Sequence, residues 1–183
     1  MESLTTTSLL LDPLARADYG WLCELYADPE VMRYIGTGVR SAEQTHANLD
    51  ALMAQAERLS FGYWVVRSRG PRERLGGAAL MVRREGSPVE LGFLFAPGTW
   101  GRGVATEAAR ALVIHAFDAL RLPELQAFID PGNAASGAVL RKAGLRDAGL
   151  ATGPYGTVDR RFALRRDQWL EGRAASGAGP GAP

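Results

Sequence analysis

Two features of the chain carry chemistry by residue type and spacing alone. In PGTWGRGVATEAARA, residues 97–111, Gly98, Gly101 and Gly103 fall within six positions. The turn lies between an apolar strand pattern, VELGFLF, and a helix pattern, VATEAARALVIHAFDAL. A helix N-terminus carries unpaired N–H groups and about half a positive charge. Val104 has no Ser, Thr, Asp or Asn immediately before it to cap those groups. Gly101 and Gly103 would let a ligand reach the backbone, and successive amides there can cradle a phosphate or pyrophosphate. Arg102 can add a charge-assisted contact. The same glycines also suit a tight turn with no ligand. The second feature is Glu90, a carboxylate inside the apolar strand pattern. Alternation puts Val89, Leu91, Phe93 and Phe95 on one face and Glu90 on the other with Gly92 and Leu94. Burial would raise the pKa of such a carboxyl; pairing with an arginine of a neighbouring strand is the structural alternative.

The surrounding pattern must position these groups. Thr5–Leu11 reads as a strand, and Asp18 as the cap of a helix over Tyr19–Ala27 with Trp21, Leu22 and Leu25 inward. Asp28-Pro29 starts a short helix. Ser41-Ala42-Glu43-Gln44 is a capping box opening a longer one. The period then changes to two through FGYWVVR, ERLGGAALMVRR and SPVELGFLFA. A helix over Val104–Leu120 follows, then a strand in ELQAFID. Asn133 caps a helix that Gly144 ends, and LRDAGLA and TVDRRFALRR are the last strands. Strand–turn–helix–strand over 89–130 is a βαβ unit, which requires a parallel pair. The expected fold is α+β: a mixed, mostly antiparallel sheet with helices on both faces.

With 183 residues, one domain over 1–171 is expected, followed by a Gly/Ala/Pro-rich tail, 172–183, that should be disordered. Twenty-one basic side chains nearly cancel 20 acidic ones, so no global field draws the protein to nucleic acid or to a membrane surface. One cysteine, Cys23, and no signal-like or membrane-length stretch fit a cytoplasmic protein. Cys23 reads as a small core residue. His46 and His115 have no metal-ligand spacing around them, so no metal is expected. The oligomeric state is open, a homodimer included.

ELGFLFAPGTWGRGVATEA followed by ID-PGNAASGAVLRKAGL resembles the acetyl-coenzyme A binding half of the GNAT N-acetyltransferase superfamily. LLLDPLARADYGWLCELYADPEVMRYI is similar to its RimJ/RimL-like, ribosomal-protein-acetylating branch. The resemblance covers nearly everything but the tail. It implies a splayed parallel strand pair at the sheet centre and acetyl-CoA as co-substrate. The pyrophosphate would meet the Gly101, Arg102, Gly103, Val104, Ala105 and Thr106 loop, and the pantetheine arm the main chain of Phe93 and Phe95. Asn133 would contact the same arm, and Ser136 would lie near the sulfur. Trp100 replaces the polar residue that opens the family loop. Leu140 stands where many relatives carry a tyrosine as general acid, which leaves Ser136 or a water it holds for that role.

The implied reaction needs a neutral amine and stabilisation of charge on the acetyl oxygen. Glu90 is then the candidate base. Trp21, Met32, Tyr34 and Trp64 are candidates to line the acceptor pocket, and Tyr155 to cover it. Glu107 and Arg110 should pair on the solvated face of their helix. The acceptor is expected to be a peptide or protein N-terminus or a small amine. Two other functions fit parts of the pattern: a non-catalytic acyl-CoA-binding module, given Trp100 and Leu140, and a nucleotide-dependent oxidoreductase, which would bind a nicotinamide cofactor instead.

Overall fold

The computed structural model describes residues 1–175. Eight strands form one sheet in the order β1-β2-β3-β4-β5-β6-β8-β7. They are β1 (Leu4–Thr5), β2 (Leu9–Pro13), β3 (Tyr63–Ser68), β4 (Arg74–Met81), β5 (Val89–Phe95), β6 (Glu124–Ile129), β7 (Arg146–Thr152) and β8 (Val158–Arg165). Every pairing is antiparallel except β5 with β6. The helices are α1 (Tyr19–Ala27), α2 (Pro29–Met32), α3 (Ala42–Leu59), α4 (Val104–Ile114), α5 (Ala134–Lys142) and α6 (Arg166–Ala175). This is the expected α+β architecture with its single parallel pair.

The sheet separates two apolar layers. On one face Leu22, Leu25 and Tyr26 of α1, Met32 of α2 and Leu49 of α3 pack on Tyr63, Val65, Ala79 and Leu94. On the other, Ala108, Leu112 and Val113 of α4 and Leu140 of α5 pack on Val66, Leu80, Leu91 and Phe95. The near-continuous apolar run of VELGFLF follows from this two-sided burial, with Val89, Leu91, Phe93 and Phe95 in one layer and Leu94 in the other.

Local capping chemistry holds where it was legible. Ser41 and Gln44 close a reciprocal capping box on α3, the Asp28 carboxylate accepts from the Glu30 amide, and Asn133 Oδ1 accepts from the Ser136 amide. Asp18 differs. It stands before α1, yet its side chain makes no cap hydrogen bond. It is buried and accepts instead from Arg67 at 2.6 Å and from Arg74 Nε at 2.8 Å. Glu107 also departs from expectation. Its carboxylate takes the Thr6 hydroxyl and the Ser8 amide and hydroxyl, while Arg110 donates to the Lys142 carbonyl. The two do not pair, because α4 packs against the β1–β2 hairpin, which supplies better partners.

Three boundaries move. The first strand is a hairpin, broken where the Thr6 amide turns back to the Leu9 carbonyl. The helix after the glycine turn passes into a wide π-type turn over His115–Ala119. The chain after β8 enters α6, whose Trp169 packs 5.3 Å from Phe117. The tail boundary expected at 171 thus falls inside a helix, since 172–175 belong to α6; the rest of the tail, 176–183, lies outside the described residues.

Candidate active site

The site begins where β5 and β6 part. They are paired only at Val89–Leu125 and Glu90–Gln126. β5 continues to pair with β4 up to Phe95, and β6 with β8 up to Ile129. Beyond Glu90 the facing edges of β5 and β6 therefore have no strand between them. The Ala96 amide donates to the Leu75 carbonyl of β4. Alternation along the strand then turns the main-chain groups of Leu91, Phe93 and Phe95 toward the opening. For Phe93 this is the arrangement the sequence implied. Phe95 is different, because its carbonyl already accepts the Trp100 indole N–H at 2.8 Å. Trp100 thus ties the glycine loop to the end of β5 while remaining half exposed.

The loop itself is built as an open cradle. Gly101 and Gly103 have φ of +74° and +81°, and a Cβ on either would meet no atom within 4 Å. Gly103 precedes α4 in the left-handed conformation and gives it no side-chain cap. The first intrahelical bond is from the Glu107 amide to the Gly103 carbonyl. Among the described residues no acceptor meets the amides of Val104, Ala105 and Thr106. Arg102 is exposed and reaches back to the Gly98 carbonyl at 3.3 Å.

The opening leads into a cavity of about 420 Å³. Glu90, Phe93, Asn133, Ser136, Tyr34 and Tyr155 all line it. Asn133 spends Oδ1 on the α5 cap, which leaves its Nδ2 for a ligand. Glu90 is buried, and it pairs with an arginine as the structural alternative anticipated. Arg83, just past β4, donates from Nε and a terminal nitrogen to Oε1 at 3.3 and 3.2 Å. Oε2 is buried with no hydrogen-bond partner. Burial raises the Glu90 pKa, the Arg83 charge and hydrogen bonds oppose this, the nearby Asp159 charge adds to it, and the net shift is upward.

The other candidates divide. Trp64 is fully buried in the opposite layer and donates to the Glu2 carbonyl. Trp21 and Met32 pack within the apolar layer beneath α1–α3, so of the four proposed pocket residues only Tyr34 lines the cavity. Leu140 is fully buried in the apolar layer beneath α4 and α5 and does not line the cavity. Cys23 is half-buried rather than core. His115 is buried against Trp64, 3.6 Å from Glu2, and burial lowers its pKa. Among the described residues, no group of His, Cys, Asp and Glu could hold a metal ion, and no helix is long and apolar enough to cross a membrane. Among the pocket residues that escaped sequence reading are Arg83, whose partner lies across a strand turn, Arg40, which had no motif around it, and Tyr63 and Asp159.

Residues 8–146 match the family model described as an acetyltransferase (GNAT) domain. The chain is 31% identical over 185 residues to the FsC-acetyl coenzyme A-N(2)-transacetylase of Aspergillus fumigatus, a match covering 92% of this chain and 78% of that protein. Its fold is similar to that of an acetyltransferase from Agrobacterium tumefaciens, with TM-score 0.81, 29% identity, and coverage of 90% and 95% of the two chains. RimL, a ribosomal L7/L12 alpha-N-protein acetyltransferase solved with coenzyme A, shares the fold at TM-score 0.77 and 16% identity, over 91% of this chain and 99% of its own. With the family model spanning most of its length, this chain belongs to the GNAT acetyltransferase family.

Proposed function

We propose that the protein is an acetyl-CoA-dependent N-acetyltransferase that acts by direct transfer to a primary amine. The observation that carries the reading is the β5 edge open beyond Glu90, facing a cavity in which a buried Glu90 oxygen has no partner. The names of the relatives, which include an acetyl coenzyme A transacetylase and a coenzyme A complex, point the same way. The acceptor class is a peptide or protein N-terminal amine or a small amine. The single cysteine fits a reducing, cytoplasmic setting.

The amides of Gly103 to Thr106, with Arg102 at the rim, would hold the pyrophosphate of the coenzyme. The open main chain of Phe93 and Nδ2 of Asn133 would hold its pantetheine arm. Bound there, the coenzyme supplies an activated acetyl thioester. Glu90 Oε2 takes a proton from the incoming ammonium, directly or through one water, while Arg83 fixes the carboxylate through Oε1. Main-chain N–H groups of the opened strand face the space where negative charge develops on the acetyl oxygen. Ser136, at the start of α5 and on the cavity wall, is the group for returning a proton to the departing thiolate.

Acetyl-CoA at a hundred times its dissociation constant should stabilise the fold by about 2.7 kcal/mol. Thermal melts with acetyl-CoA and NAD in parallel check this. A shift with NAD alone would support the oxidoreductase instead. Binding with no thiol release on any amine would support the non-catalytic module.

A side chain at Gly103 should act twice. Gly103→Val forces a β-branched residue into positive φ, costing on the order of 1–2 kcal/mol, and also fills the cradle. Gly149 has a similar φ of +86°, open surroundings, and a place in β7 away from the cavity. Gly149→Val therefore reports the strain alone. Both variants should melt earlier by a similar amount, but only Gly103→Val should lose most of its acetyl-CoA affinity by calorimetry. Equal affinities would reduce the loop to a turn.

A further inference from the structure

The acceptor end of the cavity is electrically divided. Arg40 lies over the Tyr26 ring at 4.9 Å. Its Nε donates to the Thr37 hydroxyl at 3.3 Å and a terminal nitrogen reaches the Tyr155 hydroxyl at 3.4 Å. No carboxylate pairs with it among the described residues. Arg83, also on the cavity wall, is instead neutralised by Glu90, and Arg33, a third guanidinium there, lies over the Tyr34 ring. Near Arg40, the Tyr63 hydroxyl is buried beside the Tyr26 hydroxyl and makes no hydrogen bond of good geometry among the described residues. Burial, with the Tyr26 hydroxyl beside it, holds Tyr63 well above the ordinary tyrosine pKa, so it stays protonated and able to donate. Gly77 makes room for that hydroxyl, since any side chain there would collide with it. A guanidinium and a phenol, both without an anion, are a receiving point for an oxyanion.

The opposite end has the reverse character. Glu90 presents its free Oε2, and Asp159 lies close enough to raise the Glu90 pKa. Tyr155 stands between the two ends, bonded to Arg40 on one side and stacked under Arg83 at 5.6 Å on the other. Gly36, on the loop before Arg40, packs against Tyr155, since a Cβ on it would lie 3.0 Å from Tyr155 Cδ2.

Building on the amine-acetylating reading above, we infer that the acceptor is a small zwitterion, an amino acid whose carboxylate is received by Arg40 and Tyr63 while its amine faces Glu90. This selects a free amino acid over a protein N-terminus, whose α-carboxyl is tied up in a peptide bond, and over a polyamine, whose second cation would face Arg40.

The test compares matched acceptors: the common amino acids, their carboxamides and their decarboxylated amines, with a polyamine and an N-terminal peptide alongside. Thiol release from acetyl-CoA is the readout. Converting the carboxylate to an amide makes the amine easier to deprotonate, so amine basicity alone would favour the amide. For side chains that fit, the acid should nevertheless exceed its amide and its decarboxylated amine by about tenfold to a hundredfold in kcat/KM, mainly through KM. Arg40→Gln should collapse that ratio toward one, and Arg40→Lys should leave part of it. A retained melting shift with acetyl-CoA shows that either variant is folded. If Arg40→Gln does not fold, the wild-type ratios and Arg40→Lys decide. Amides or decarboxylated amines accepted as well as the acids, or peptides or polyamines accepted better, overturn this inference and leave the N-acetyltransferase in place. Absence of thiol release with every amine overturns both.

Discussion

Glu90→Gln should keep acetyl-CoA affinity while acetyl transfer at neutral pH falls by about 10²–10⁴-fold, the usual contribution of a positioned general base. The structure sharpens the reason. Oε1 is held by Arg83 and Oε2 is left buried and without a partner, so one oxygen orients the group and the other is free to accept. Glutamine keeps the shape but places an amide, which is no base, at that position. The loss should be largest below the pKa of the amine and should shrink as pH rises and more acceptor arrives neutral. The wild-type rate should fall at acid pH as Glu90 becomes protonated, and because burial raises the Glu90 pKa this limb should lie above the ordinary glutamate range. The variant should lack that limb. Stability should move the other way. A carboxyl whose pKa is raised by folding is easier to ionise in the unfolded chain, so its ionisation weakens the fold as pH rises from the unfolded to the folded pKa. Glu90→Gln should therefore not lower the melting temperature at neutral pH. An undiminished rate, with chemistry shown to be rate-limiting, would remove Glu90 from the mechanism, and a clear drop in melting temperature would make the Arg83 pair structural.

Asp18→Ala should be the most destabilising single change outside the apolar core, by about 3–5 kcal/mol, because it strips the shared partner from two guanidinium groups. Asp18 is 2% exposed and Arg67 16% by side chain, so Arg67 would be left charged with little water to replace the carboxylate; Asp12 at 3.3 Å compensates only in part. Burial pushes the Asp18 pKa up, but the hydrogen bonds from Arg74 and Arg67 and their charges outweigh it, and the net shift is downward. A depressed carboxyl pKa contributes stability that is fully present above the unfolded value, near 3.9, and is lost as pH falls through the folded one. The gap between wild type and Asp18→Ala, measured by denaturant unfolding, should be full at pH 7 and should narrow only under strongly acid conditions. A gap below about 1 kcal/mol at pH 7 would reduce the cluster to an exposed-type pair. The cluster matters to function because it joins the start of α1 to β3 and β4, and α1 carries Tyr26 beneath Arg40.

What the sequence determined by itself was local. The capping box of α3, the Asp28 and Asn133 caps, the three successive strands and the uncapped glycine turn before Val104 each depend on residues within a few positions of one another, and each is present in the fold. The βαβ order required a parallel pair, and that pair frames the site. Glu90 could be singled out because a carboxylate in an alternating apolar strand is conspicuous without knowing its neighbours. The tertiary structure decided everything that depends on which distant group arrives first. Asp18 looked like a cap, but Arg67 and Arg74 from the sheet compete for its carboxylate more strongly than a backbone amide does. Glu107 and Arg110 have the spacing of a helix pair, yet the hydroxyls of Thr6 and Ser8 reach the carboxylate across the fold. Trp64 and Met32 have the character of pocket residues and are core, since only the packing of both layers shows which face of an element is covered. Arg40 carries no motif at all. Its meaning comes from Tyr26, Tyr63 and Tyr155, which stand beside it while no carboxylate among the described residues pairs with it, and only the tertiary structure shows such a pairing left unmade.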